Sequence, residues 1–355
     1  MRKLYKLPKF LRQEALNRYV QRKSDKTVSF SFLPILAYSL PTYVLTYPSF
    51  FVNNLSNYMP YWEVFLIISL PYLSRIIGGF LYTHIKSFSI PFIILGILTI
   101  LQDEISLLFI VRVLIGIIFG LTITYALDKA SKSNLMTGIT TAGRSIGWLL
   151  SYISYSLIHN WNEINIVSGI IITATSLLGI KELRIRHRDR DKGKEESSRK
   201  KRNPTSLTTV LLYFSAMTPG FLLQVIPSLL EKEGLVDLLL PSYVLSIFAY
   251  LLLPLVGASI GYKLTTVLIS VSTLITGVLT FTIFPYTVSI FAPLSLSLTA
   301  VIPRYLVSKG EKAENLGVAQ NMGSASGMVI PVLFAFNPET PEYFLSICSL
   351  IAILI

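Results

Sequence analysis

Apolar residues run in long blocks along this chain, with short polar punctuation between them, and over most of its length they do not alternate with polar positions. A block of about 20 apolar residues crosses ~30 Å of hydrocarbon as a helix. Such blocks are expected at 31–52, 61–83, 87–101, 105–127, 134–158 and 164–180, then at 207–230, 238–262, 264–284, 286–308, 315–336 and 342–355. Two stretches break the pattern, residues 1–30 and 181–206, and both are rich in charge. The expected fold class is therefore all-α membrane protein, with twelve transmembrane helices in two six-helix, pseudo-symmetric bundles. The domain reading is a basic N-terminal segment (1–30), a first bundle (31–180), a charged linker (181–206) and a second bundle (207–355).

The basic residues give the expected topology, because cytoplasmic loops concentrate Lys and Arg. Nine lie in 1–30, eleven in 181–206, and six more are Lys86, Lys129, Lys132, Lys263, Lys309 and Lys312, all on one side of the expected span pattern. Only Lys232 falls on the other side, and Arg75, Arg112, Arg144 and Arg304 fall within spans. Both termini are expected in the cytoplasm, in a multi-pass protein of the cell membrane.

Composition agrees. The 355 residues are 52% hydrophobic and 14% charged, where soluble domains carry about 25% charged residues. The formal charge of +12 follows the topology and the lipid headgroups, so no nucleic-acid partner is expected. With Cys348 as the single cysteine, no intrachain disulfide can form. Clustered His, Asp and Glu of the kind a membrane enzyme or a metal site needs are missing from the sequence, so neither catalysis nor a cofactor or metal is expected.

The two halves share punctuation. Gly143-x-x-x-Gly147 returns as Gly323-x-x-x-Gly327, Gly138 as Gly317, Pro48-Ser49 as Pro227-Ser228, and Pro41 as Pro219, all at nearly one offset. Parallel repeats of this kind place a substrate site between the halves. Pro34, Pro41 and Pro48 are spaced by seven residues, about two helical turns, so their breaks share one face. Pro41 and Pro219 are candidate gating positions, and the glycine pairs are expected to pack helices closely.

Charge inside the spans carries the chemistry. An intramembrane arginine costs several kcal/mol unless water, a partner or a carbonyl meets it. At about 1.5 Å per residue, Arg144 lies some 15 Å into its helix. Arg112 and Arg144 have no carboxylate at their depth and are expected to face the central cavity, Arg304 to snorkel to the inner surface, and Arg75 to pair with Asp128. Guanidinium groups bind carboxylates in bidentate fashion. A small organic anion is therefore the expected substrate, with Tyr38, Tyr43, Gln224, Gln320 and Asn321 as further lining candidates. The alternatives are a neutral metabolite or sugar, or a transport-inactive relative acting as sensor or scaffold. Proton symport usually uses an embedded acid or histidine, and His84, His159 and His187 lie outside the span interiors. Protons are thus one candidate coupling ion, with uniport and exchange left open.

The second span ends Tyr72-Leu73-Ser74-Arg75-Ile76-Ile77-Gly78-Gly79-Phe80-Leu81-Tyr82-Thr83-His84-Ile85. This resembles the major facilitator superfamily signature, and more closely the metabolite:proton symporter branch, which reads Arg-Pro-x-Gly-Gly-x-Leu-Phe-Gly-His. Arg75, Gly78, Gly79, Leu81 and His84 match, while Ile76 and Thr83 depart from the pattern. Arg112-x-x-x-Gly116-x-x-x-Gly120 resembles the fourth helix of the same superfamily. The resemblance implies a twelve-helix transporter working by alternating access, with Arg75, Gly78, Gly79, His84 and Asp128 at its inner gate.

Overall fold

A computed structural model describes residues 31–131, 133–180, 206–232, 234–283, 286–311 and 313–337, together with Ile347 and Leu350. The expected basic segment 1–30, almost all of the linker and most of the block 342–355 lie outside the described residues.

The described residues form helices and connecting turns, without a strand. In the first half α1 is Leu33–Thr46, α2 Tyr61–Leu81, α3 Ser89–Leu101, α4 Leu108–Ala130, α5 Asn134–Leu157 and α6 Trp161–Thr175. In the second half α7 is Leu207–Lys232, α8 Leu239–Ile260, α9 Tyr262–Ile283, α10 Tyr286–Ser308, α11 Ala313–Gly323 and α12 Ser326–Phe336. Each follows an apolar block of the sequence, with ends displaced by a few residues. The eleventh block is the exception: it breaks at Ser324 and Ala325 into α11 and α12.

Local chemistry sets several ends. Pro34 opens α1, where its missing N–H costs nothing. Pro41 lies inside α1, but at Pro48 the helix tightens into a 3-10 turn, Tyr47–Phe50. The Asn160 side chain caps α6 by accepting from the Asn162 and Glu163 amides. Gly261 takes φ +105°, a value that favours glycine, and turns the chain from α8 straight into α9.

Among the described residues four helical stretches are long and apolar enough to cross a membrane: Tyr61–Leu81, Ile105–Ala130, Trp161–Gly179 and Val236–Ile260. Large apolar side chains stand exposed along α3 (Ile90, Ile93, Ile97), α6 (Ile166, Ile170, Ile171) and α8 (Leu245, Phe248, Leu252). A water-facing surface would not carry such stripes, and a lipid-facing one requires them. The chain is a multi-pass membrane protein.

Glycine allows the closest helix contacts. A Cβ at Gly120 of α4 would sit 1.9 Å from the Arg75 carbonyl oxygen of α2. At Gly147 of α5 it would sit 2.5 Å from the Ser39 carbonyl oxygen of α1, and at Gly323 of α11 2.6 Å from the Phe214 amide of α7. The last two glycines belong to the repeated pairs, so α5 meets α1 as α11 meets α7. Between the halves, α5 lies against α8 and α10, and α11 with α12 lies against α2.

Candidate functional site

The middle of the molecule is held by Arg144 of α5. Its neighbour Gly143 faces α1 so closely that a Cβ there would lie 3.1 Å from the Tyr38 Cβ. That approach brings the Tyr38 hydroxyl within reach: Arg144 Nη2 donates to it at 2.9 Å, and the guanidinium carbon lies 5.6 Å from the ring centroid. From the second half, Gln320 Nε2 of α11 donates to the same hydroxyl at 2.6 Å. Arg144 Nη1 donates to Thr299 Oγ1 of α10 at 3.3 Å, and that hydroxyl lies 3.5 Å from the Tyr250 hydroxyl of α8. Five side chains from both halves thus converge on one point, and all of them are buried.

This cluster has spare capacity. Gln320 Oε1 and the buried Tyr213 hydroxyl have no hydrogen-bond partner among the described residues. Tyr38 accepts twice, leaving its own proton without an acceptor among the described residues. A hydroxyl group both donates and accepts, so it matches such a set.

Arg112 departs from its expected place. It is fully buried and turned into the first half, with four acceptors: the carbonyl oxygens of Ile67 (3.2 Å), Val44 (3.0 Å) and Leu45 (3.2 Å), and Gln102 Oε1 (3.1 Å). Gln102 Nε2 in turn donates to the Tyr47 hydroxyl at 2.6 Å, and that hydroxyl donates to Asn165 Oδ1. The sequence reading counted a carbonyl among the groups that relieve a buried arginine, but expected Arg112 to face the central cavity. The signal was present: Pro48 and Pro71 each stand four residues after an acceptor, Val44 and Ile67, and supply no amide to it.

Tyr43 also points away from the centre. Its hydroxyl meets Ser168 Oγ of α6 at 2.5 Å, and its ring lies 5.2 Å from that of Tyr47. Gln224 and Pro219 belong to the backbone run of α7, but their side chains lie outside the described residues.

Two further sets of bonds join the halves, one near each end. At the Arg304 end, Arg75 Nε of α2 donates to Asn321 Oδ1 of α11 at 2.8 Å, and its guanidinium carbon lies 4.5 Å from the Phe119 ring centroid. Asn321 Nδ2 donates to the Gly120 carbonyl oxygen (2.9 Å) and to Thr124 Oγ1 (3.1 Å) of α4. Gly79 leaves room for this: its Cβ would lie 2.6 Å from Asn321 Nδ2. Gly78 fits equally tightly against the Ile117 carbonyl, where a Cβ would come to 1.8 Å. Asp128, the expected partner of Arg75, instead accepts from the Tyr82 hydroxyl at 2.7 Å. Asn321 takes its place because α11, and not the end of α4, faces the arginine. His84 is exposed beside Thr83 Oγ1 at 2.9 Å.

Arg304 is 2% exposed and does not snorkel. Its Nε donates to Asn134 Oδ1 at 2.5 Å and its Nη1 to the Ser131 carbonyl oxygen at 2.6 Å, across to the turn between α4 and α5. The Tyr262 hydroxyl joins the same Asn134 oxygen at 2.8 Å.

At the opposite end Glu231, near the end of α7, uses both carboxylate oxygens. Oε2 accepts from Asn53 Nδ2 at 2.7 Å and Oε1 from the Tyr155 hydroxyl at 2.6 Å. Asp237 Oδ1 accepts from the Tyr152 hydroxyl at 2.6 Å. The sequence reading did not single out these partners, because residues far apart in the chain carry no local pattern. With both ends bonded, the central cluster is enclosed.

No family model and no curated protein matches the sequence. Solved structures do. A partially occluded, inward-open form of the xylose transporter XylE from E. coli superposes with a TM-score of 0.65 at 14% identity, over 94% of this chain and 96% of that one. A double tryptophan mutant of XylE gives 0.63 at 13% identity, over 95% and 94%. XylE described as a major facilitator superfamily proton:xylose symporter, bound to 6-bromo-6-deoxy-D-glucose, gives 0.59 at 12% identity, over 91% and 94%. The class is thereby defined: a multi-pass helical membrane protein with the major facilitator fold. Within that class the chain is similar over nearly its whole length to structures of a xylose transporter, and at 12–14% identity this likeness shows the fold alone.

Proposed function

We propose that this chain is a secondary transporter of the major facilitator superfamily that carries a small neutral polyhydroxyl solute by alternating access. One observation carries the reading: Tyr38 and Arg144 from the first half meet Gln320 and Thr299 from the second at a single buried point. Residues 31–180 and 207–355 act as the two rocking bodies. The bonds at the Arg304 end close the cytoplasmic side, and those at Glu231 close the outer side of the cell membrane. The positive-inside pattern supports this orientation, with both termini in the cytoplasm.

The anion expectation rested on two arginines facing a cavity. Arg112 is committed to carbonyl and amide oxygens, and Arg144 spends two donors on Tyr38 and Thr299. What the centre offers is a set of hydroxyl and amide groups with unused capacity, which suits sugar hydroxyls. The solved xylose transporter structures of the same fold support this choice.

The test is uptake into liposomes containing the purified protein. Saturable uptake of labelled D-xylose or D-glucose, competed by unlabelled sugar and lost in Arg144→Gln, is expected. Uptake of dicarboxylates in place of sugars returns the anion reading, and no uptake of either turns the assignment to an inactive relative. Uptake driven by an inward proton gradient identifies a symporter, and gradient-independent uptake a facilitator.

A further inference from the structure

The two ends of the molecule are joined by different chemistry. At the Arg304 end the donors are arginines and the acceptors are neutral: Asn321 Oδ1 for Arg75, and Asn134 Oδ1 with the Ser131 carbonyl oxygen for Arg304. Arginine keeps its proton in neutral and acid solution, and amide oxygens carry no titrating charge. Asp128 also stands at this end, but its partner Tyr82 belongs to the same half, so that bond does not cross between the halves.

At the opposite end the acceptors are carboxylates and the donors are neutral. Glu231 accepts from Asn53 and Tyr155, and Asp237 accepts from Tyr152. Both acids belong to the second half, near the end of α7 and in the turn before α8, and all three donors belong to the first. Each bond therefore crosses between the halves, and each draws strength from the charge on its acceptor. Glu231 is half-buried and Asp237 exposed, so protons reach both from the surface.

Protonation shifts the balance in one direction. A protonated Glu231 keeps one acceptor oxygen, while its new O–H faces a tyrosine hydroxyl that must reverse its role. The bonds then survive as neutral ones, roughly half as strong. Ionised Glu231 and Asp237 thus stabilise the closed arrangement, and that support is lost as falling pH protonates them. By linkage, protons bind the opened arrangement more tightly than the closed one. Of the groups around these acids, His159 stacks on Tyr155 at 5.4 Å. A positive His159 favours an ionised Glu231, so its own protonation opposes opening. Asp103 shares a cavity wall with His159 inside the first half. Lys232 and Glu233 lie between the two acids in the sequence, and their side chains fall outside the described residues.

We propose that Glu231, together with Asp237, is a proton-binding site of this chain, and that protons from the outer side open the Glu231 end while the Arg304 end stays closed. This rests on the reading that the two halves rock and that the Glu231 end faces outward. It gives the chain a proton response without an acid embedded in a span.

The test is a set of dipolar spin-label distances in full-length protein, in a Cys348→Ser background in lipid nanodiscs. Labels at Asn162→Cys and Leu235→Cys, both exposed, span the Glu231 end, and labels at Thr83→Cys and Lys309→Cys, also exposed, span the Arg304 end. Distances are read from about pH 7.5 down to about pH 4, around the ordinary titration of carboxyl groups. In acid a longer Asn162–Leu235 distance is expected to gain at least about tenfold over the shorter one, reversibly, with the Thr83–Lys309 distance unchanged. Glu231→Gln with Asp237→Asn imitates the protonated pair, and is expected to show the longer distance already at the higher pH, with no further change in acid. A distance that never responds overturns the site. So does an acid response that persists in the double variant, one that appears at the Thr83–Lys309 pair instead, or one that fails to reverse. Uptake of D-xylose is measured on the same proteins. Its absence beside an intact distance response rejects the sugar reading and leaves the proton site standing, and uptake without a distance response does the reverse.

Discussion

Arg112 donates to the carbonyl oxygen of Val44 at 3.0 Å, and Val44 stands four residues before Pro48. In an unbroken helix the amide at position 48 would take that carbonyl, but proline has none. The same holds for Ile67, whose carbonyl Pro71 leaves open and Arg112 Nε fills. One side chain thus ties α4 to interrupted stretches of α1 and α2, at a depth where no water would serve.

Removing that side chain leaves buried carbonyls unsatisfied, at about 1–3 kcal/mol each. Arg112→Met is expected to lower the unfolding temperature in detergent clearly. In a Pro48→Ala, Pro71→Ala background, where the helices supply their own amides, the same change is expected to cost much less. Equal losses in both backgrounds would refute the account.

The bonds to Glu231 are expected to control access from their own end. A cysteine at Ser145, which meets Ser246 Oγ at 2.5 Å below this layer, would be labelled from outside by an impermeant thiol reagent in a Cys348→Ser background. Glu231→Ala removes two bonds to a charged group and is expected to speed labelling by at least about tenfold. Unchanged labelling would show that other contacts hold this end.

Arg304→Gln is expected to act with opposite polarity. It loses the bond to the Ser131 carbonyl and loosens the hold on Asn134, so the Arg304 end opens and the same labelling from outside slows. Faster labelling would mean that the two ends are not coupled in opposition.

Gly120→Ala places a methyl group 1.9 Å from the Arg75 carbonyl, which is backbone and cannot step aside. Overpacking of this kind costs about 1–3 kcal/mol or more. The yield of monodisperse protein is expected to fall sharply, whereas Gly234→Ala, with nothing within 4 Å, meets no clash and should lower it only modestly, through the strain of its φ of +69°.

The helices were legible because hydrophobic blocks of membrane length leave few alternatives. The close packing at the glycine pairs was legible: Gly147 of α5 meets α1, and Gly323 of α11 meets α7. Arg144, Tyr38 and Gln320 were also legible as polar residues inside apolar runs, and the structure brings them together. Arg112, Arg304 and Asn321 were readable as costly groups, but not their partners, which depend on helix rotation and on which carbonyls the prolines release. The Glu231 bonds lay beyond sequence reasoning, since Asn53, Tyr155 and Glu231 sit in unrelated local patterns and meet only through the tertiary fold.

Arg144 has an electrical consequence. Its hydrogen-bond partners Tyr38 and Thr299 are both uncharged, so a whole positive charge stands deep in the membrane dielectric. One charge crossing the full membrane potential changes energy by about 2.3 kcal/mol per 100 mV. A rocking motion that carries Arg144 through a tenth of the field therefore biases the two access states by about 0.2 kcal/mol per 100 mV. Under the proposed alternating-access function, transport is therefore expected to be voltage-sensitive even for an uncharged cargo, with a cell-negative interior favouring the state in which Arg144 lies nearer the cytoplasm.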